Sequence, residues 1–216
     1  MQKIANDFLT LSVSEKTGSL LHLLASSGSN DYLTGVELAP VLFPALDSDL
    51  LAAADWVVVD KGDDRISLTT IASDETKKSW RHDFELMLTY RLVDHQVEIR
   101  LSLTNTGQQD FDYQLGWQTW LHVTPETRIK LTPSLAEQDL LKPADLDEGQ
   151  VNQHLRTVDL LEQFPMRFSL GSFNHLLVVK DGDRFGLGAS DHEQQTLAAG
   201  EQADFSLSLD LLSLTK

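Results

Sequence analysis

Between Phe84 and Leu121 apolar and polar side chains alternate in three successive runs. Phe84, Leu86, Leu88, Tyr90 and Leu92 are interleaved with Glu85, Met87, Thr89 and Arg91. Val93-Asp94-His95-Gln96 breaks the alternation, and Val97, Ile99, Leu101 and Leu103 then resume it against Glu98, Arg100, Ser102 and Thr104. Asn105-Thr106-Gly107 turns the chain into a third run marked by Phe111, Tyr113, Leu115 and Trp117. A period of two places one side of a strand in a core and the other toward water. The short polar turns make these runs neighbours, so Ser79–Leu121 is predicted to form three consecutive antiparallel strands.

Most of the remaining chain reads as strand. Phe8–Val13 and Leu20–Ala25 flank Lys16-Thr17-Gly18-Ser19 as a hairpin, and Trp56–Val59 and Ile66–Ile71 flank Asp60–Asp64 as a second. Shorter strands are predicted at Ile129–Leu131, Arg167–Leu170, Leu176–Lys180, Phe185–Leu187 and Phe205–Leu211. Ser48–Ala54 suits a short helix. Val151, Leu155, Val158 and Leu161 are spaced for one helix face, although an extra strand fits parts of that segment equally. Many short strands separated by turn signals, without an internal repeat, predict an all-β sandwich, with residues 1–216 as a single domain.

At 216 residues, 41% hydrophobic and 23% charged, the chain can bury one sizeable core. It has no cysteine, which excludes disulfides and thiolate metal sites. Met1–Asp7 lacks the apolar stretch of a signal peptide and no apolar run could cross a bilayer, so a cytoplasmic protein without a membrane partner is expected. The net charge of −16 would repel phosphate backbones, so no nucleic-acid partner is expected. The acidic excess over Glu137–Glu148 reads as a solvated loop, because Asp139, Asp145, Asp147 and Glu148 lack calcium-loop spacing. No metal or cofactor is expected, and monomer and homodimer both remain open.

The segment Phe84–Leu121 resembles the middle of the galactose mutarotase (aldose 1-epimerase) family, whose third strand ends in Gly-x-His-Pro-x-Phe. Ala39-Pro40-Val41-Leu42-Phe43-Pro44 is similar to the family's "PxLFP" segment, and Leu197-Ala198-Ala199-Gly200-Glu201 to its closing "L.PGE" turn. The resemblance implies an antiparallel β-supersandwich of the galactose mutarotase type, with a monosaccharide held in a groove on one sheet. It also implies a glutamate base and a histidine acid. Mutarotation needs both, because the anomeric hydroxyl loses a proton while the ring oxygen gains one.

Carried over residue by residue, that machinery is altered. Gly-x-His-Pro-x-Phe falls on Gly116-Trp117-Gln118-Thr119-Trp120-Leu121, so Gln118 replaces the acid, and an amide can only hydrogen-bond. The segment after "LFP", which carries an arginine and a second histidine in the family, is reduced to Ala45–Ala54. The base position falls on Ala189 or a neighbour. His122, Asp191 and His192 are the candidates for a substitute acid–base pair, against the plainer reading of ordinary surface groups. Gln118, Trp120, Trp117 and Arg81 are the candidate sugar-binding residues. The two tryptophans point to opposite faces of one strand, so one belongs to the core and the other can offer a sugar platform or pack under a loop. The implied function is a carbohydrate-binding, catalytically impaired member of the family. The alternatives are an active epimerase with rewired chemistry and a structural β-protein without a sugar site.

Overall fold

A computed structural model describes residues 1–132, 140–151, 155–191 and 193–212. β1 (Gln2–Ala5), β2 (Leu9–Val13) and β3 (Leu20–Ala25) open the chain, and the short β4 (Val41–Leu42) and a 3-10 turn at Leu50–Ala53 follow. β5 (Val57–Lys61) and β6 (Arg65–Ile71) precede a single helical turn, α1 (Thr76–Ser79). Next come β7 (Phe84–Val93), β8 (Gln96–Asn105), β9 (Phe111–Tyr113) and β10 (Gly116–Leu121). The second half supplies β11 (Arg128–Thr132), a 3-10 turn at Pro143–Asp145, β12 (Gly149–Val151), β13 (Thr157–Leu161) and β14 (Met166–Ser169). It ends with β15 (His175–Asp181), β16 (Arg184–Ser190), β17 (Gln195–Leu197) and β18 (Gln202–Leu211).

The fold is an antiparallel β-sandwich. An eight-stranded sheet has the order β11-β13-β14-β18-β8-β7-β6-β5, and a five-stranded sheet the order β12-β15-β16-β10-β4. A three-stranded sheet of β1–β3 and a β9–β17 pair complete it. The two large sheets meet where Trp117, fully buried on β10, stacks on Phe168 of β14 at 6.4 Å between ring centroids. Trp117 Nε1 also donates to Tyr90 Oη on β7, and Tyr90 Oη donates to the Gly18 carbonyl at 2.7 Å. Burial pushes the Tyr90 phenol well above its ordinary pKa, so it stays a neutral donor. Leu86, Leu88, Val97, Ile99, Leu101 and Leu103 fill the eight-stranded side of this interface at 0–1% exposure. Each such side chain contributes about 1.5–3 kcal/mol on removal from water.

β7 and β8 pair along their full length, as the alternation predicts. The third run does not join them. It breaks at Gln114-Leu115 into β9, which pairs with β17, and β10, which pairs with β16 and β4 in the other sheet. β18 takes the edge of β8 instead, with register partners from Gln202↔Thr104 to Asp210↔Gln96. Alternation reports burial on one face, and both large sheets bury a face, so the pattern does not say to which sheet a strand belongs. The candidate helix over Val151–Leu161 is also corrected: β12 and β13 occupy its ends, and residues 152–154 lie outside the described residues. Ser48–Ala54 contributes only the 3-10 turn. No helix among the described residues is long and apolar enough to cross a membrane.

Candidate functional site

β10 divides its side chains between the two faces of the five-stranded sheet. Trp117, Thr119 and Leu121 point into the sandwich and are at most 5% exposed. Gln118 and Trp120 point outward, opposite Gly188 and Gly186 of β16. β15 adds Leu177 beside Gly188 and His175 beside Ser190. The outer face around Gln118 therefore carries two buried glycines, Gly186 and Gly188, flanked by Gln118, Trp120, Ser190 and His175.

Glycine is required here by close approach. A Cβ on Gly188 would sit 2.4 Å from the Trp117 carbonyl oxygen, and one on Gly186 would sit 2.9 Å from that of Thr119. The Trp120 ring lies over Gly186, with Cε3 3.4 Å from that Cβ position, and only 8% of the residue is exposed. Gln118 is half-buried, and its N–H is held by the Pro40 carbonyl at 2.8 Å. At the other end of the patch Leu46 covers Gly116, its Cδ2 3.0 Å from the Cβ position. Ser190 is fully buried, and its Oγ finds no hydrogen-bond partner among the described residues.

The other sequence candidates are scattered. Trp117 is corrected: it is a core residue with no exposed surface, so it offers no sugar platform. His122 is exposed beyond the end of β10, where its Nδ1 donates to the Asp31 carbonyl at 2.8 Å and its ring lies 5.6 Å from that of Phe164. That bond leaves Nε2 of the neutral ring as an acceptor facing away from Asp31. Arg81 is exposed in the loop before β7 and makes no ion pair or hydrogen bond among the described residues. His192 lies outside the described residues, as do Glu137 and Asp139 of the acidic stretch.

Asp191 is 4% exposed and turned toward β9 and β17. Gln195 Nε2 donates to its Oδ2 at 2.6 Å and Asn174 Nδ2 to its Oδ1 at 3.4 Å. Tyr113 Oη donates to Gln195 Oε1 at 3.2 Å. Burial pushes the Asp191 carboxyl up, and the hydrogen bonds oppose this only in part. Burial, with the charge of Asp191 nearby, pushes the Tyr113 phenol up to about 12. The carboxylate is occupied with these partners rather than with Gln118 or His122.

His175 is the polar residue that the sequence did not single out. It stands at the start of β15, half-buried, on the same outer face as Gln118. Two strands and two residues separate them, roughly 12 Å at Cα by standard sheet spacings. The one available signal was register: a strand begun at His175 instead of Leu176 would have put it on the outer face.

The family profile for aldose 1-epimerase matches residues 48–184, more than half of the chain. The chain belongs to the aldose 1-epimerase family. Solved structures agree on the fold. A galactose mutarotase-like protein from Lactobacillus casei superposes with a TM-score of 0.84 at 16% identity, covering 97% of this chain and 99% of that one. A galactose mutarotase related enzyme from Lactobacillus acidophilus gives 0.81 at 12% identity, covering 100% and 98%. An aldose epimerase homologue from C. elegans gives 0.74 at 11% identity, covering 96% and 97%. No curated protein matches the chain.

Proposed function

We propose that this member of the aldose 1-epimerase family binds a monosaccharide on the outer face of the five-stranded sheet and accelerates mutarotation little or not at all. One observation carries the reading. On that face the strand positions around Gln118 are Gly188, Leu177, Ser190 and His175, so neither a histidine at the acid position nor a carboxylate beside it is provided by these strands. Gln118, half-buried, can hydrogen-bond sugar hydroxyls but cannot cycle a proton at neutral pH. Trp120, 8% exposed over Gly186, offers little apolar contact.

Loss of an acid or base group forfeits about 10²- to 10⁴-fold in rate. The expected outcome in polarimetry of freshly dissolved α-galactose is therefore a rate indistinguishable from buffer, accompanied by sugar binding that weakens in Gln118→Ala. A rate well above buffer that disappears in His175→Ala or His122→Ala would replace this reading with an epimerase of rewired chemistry, because His175 shares the outer face with Gln118 and His122 follows the end of β10. No sugar binding and no rate would leave a β-protein that has abandoned the sugar.

A further inference from the structure

A second concave site lies at the end of the sandwich, where the β15–β16 hairpin meets the segments after β10 and before β12. The depression has a volume of about 650 Å³. Its floor is apolar: Phe185, which is 3% exposed, and Val123 contribute to it. Lys142, Lys180 and Arg184 stand around it, against one carboxylate in the lining, Asp183.

That balance is the reverse of the chain as a whole, which has 33 acidic and 17 basic residues. Arg184 is partly answered at the rim, where its Nη1 lies 3.3 Å from Asp181 Oδ2 and both side chains are exposed. Asp145 is engaged by the Lys142 backbone N–H at 2.8 Å. The ammonium groups of Lys142 and Lys180 have neither ion pair nor hydrogen bond among the described residues. Cations gathered round one apolar-floored depression repel each other more than they would in open water, and an anion between them relieves that cost. Thr124, whose Oγ1 also lacks a hydrogen-bond partner among the described residues, lines the same wall, and a turn about χ1 would present its hydroxyl to that anion.

We propose that this depression is a binding site for a small organic phosphate monoester. The phosphate sits between Lys142, Lys180 and Arg184, and the organic group lies against Phe185 and Val123. Two flexible ammonium point charges and a guanidinium suit a dianion with three free oxygens better than the two-oxygen monoanion of a carboxylate. The site does not depend on the sugar-binding reading. It lies four residues along β16 from Gly188, roughly 13 Å by strand spacing.

The test is calorimetric titration of the full chain with phenyl phosphate, with benzoate and benzyl alcohol titrated alongside. Saturable binding of phenyl phosphate is expected, weaker for benzoate, absent for benzyl alcohol, and declining with added salt. Lys142→Gln/Lys180→Gln should weaken it by about tenfold or more, as the loss of two charge-assisted contacts implies. Gln118→Ala should leave it unchanged. Thermal melting of the double variant checks that its fold persists, and Arg184→Gln serves as the second probe if it does not. Absent binding, unchanged affinity in both lysine and arginine variants, or benzoate binding as tightly as phenyl phosphate would overturn the proposal.

Discussion

Asp191 shows how far a residue's chemistry depends on its partners. As a carboxylate just after β16 it is a sequence candidate for catalysis, yet its oxygens receive Gln195 and Asn174 and it is nearly dry. Burial raises its pKa in the folded chain, so the charged form is the costly one. A raised pKa contributes stability at low pH that is lost as pH rises through the folded pKa. Asp191→Asn keeps an acceptor for Gln195 and removes the charge. The Asn variant is expected to melt at or above the parent near neutral pH, with the difference shrinking as pH falls through the region just above the ordinary carboxylate range. The Tyr113 phenol, held at about 12 partly by that charge, should titrate lower in the variant. A variant that melts far below the parent at neutral pH would mean that the carboxylate anchors β9 and β17 as an ion. Legibility at this scale was uneven. The opposite orientation of Trp117 and Trp120 follows from strand alternation alone. Which ring is core follows only from Tyr90 and Phe168, which arrive from the other sheet.

Strands here are specified by pattern and placed by contact. β7 and β8 were readable to within a residue or two, because ten-residue alternating runs flanking a short turn leave few other conformations. The assignment of β10 was not readable, since its inward residues would suit either sheet. What commits it is the pairing with β16, whose Gly186 and Gly188 let the two backbones approach. Gly188→Ala should therefore destabilise the protein by about 1–3 kcal/mol or more, the usual cost of overpacking. Gly28→Ala, where a Cβ meets nothing within 4 Å, should be close to neutral. Denaturant midpoints compare the two. Equal midpoints would mean that the β10–β16 spacing relaxes freely and that glycine is not what positions the patch.

Across the whole molecule, a net charge of −16 on 216 residues opposes compaction. Screening shortens from about 30 Å at 0.01 M salt to about 8 Å at 0.15 M, so the melting temperature is expected to rise over that range at neutral pH. A fall would mean that attractive pairs such as Arg167 with Asp159, joined by two hydrogen bonds, outweigh the general repulsion. The sequence by itself determined the class of structure: period-two runs and frequent turns admit little but an antiparallel sandwich. The tertiary structure alone decided which sheet each strand joined, that Trp117 is core while Trp120 lies over Gly186, that Leu46 covers one end of the patch, and that His175 shares its face. Alternation is local and has the same form for every half-buried strand, whereas the outer face of the sheet is assembled from β10, β15 and β16, whose proximity exists only once the two sheets have packed.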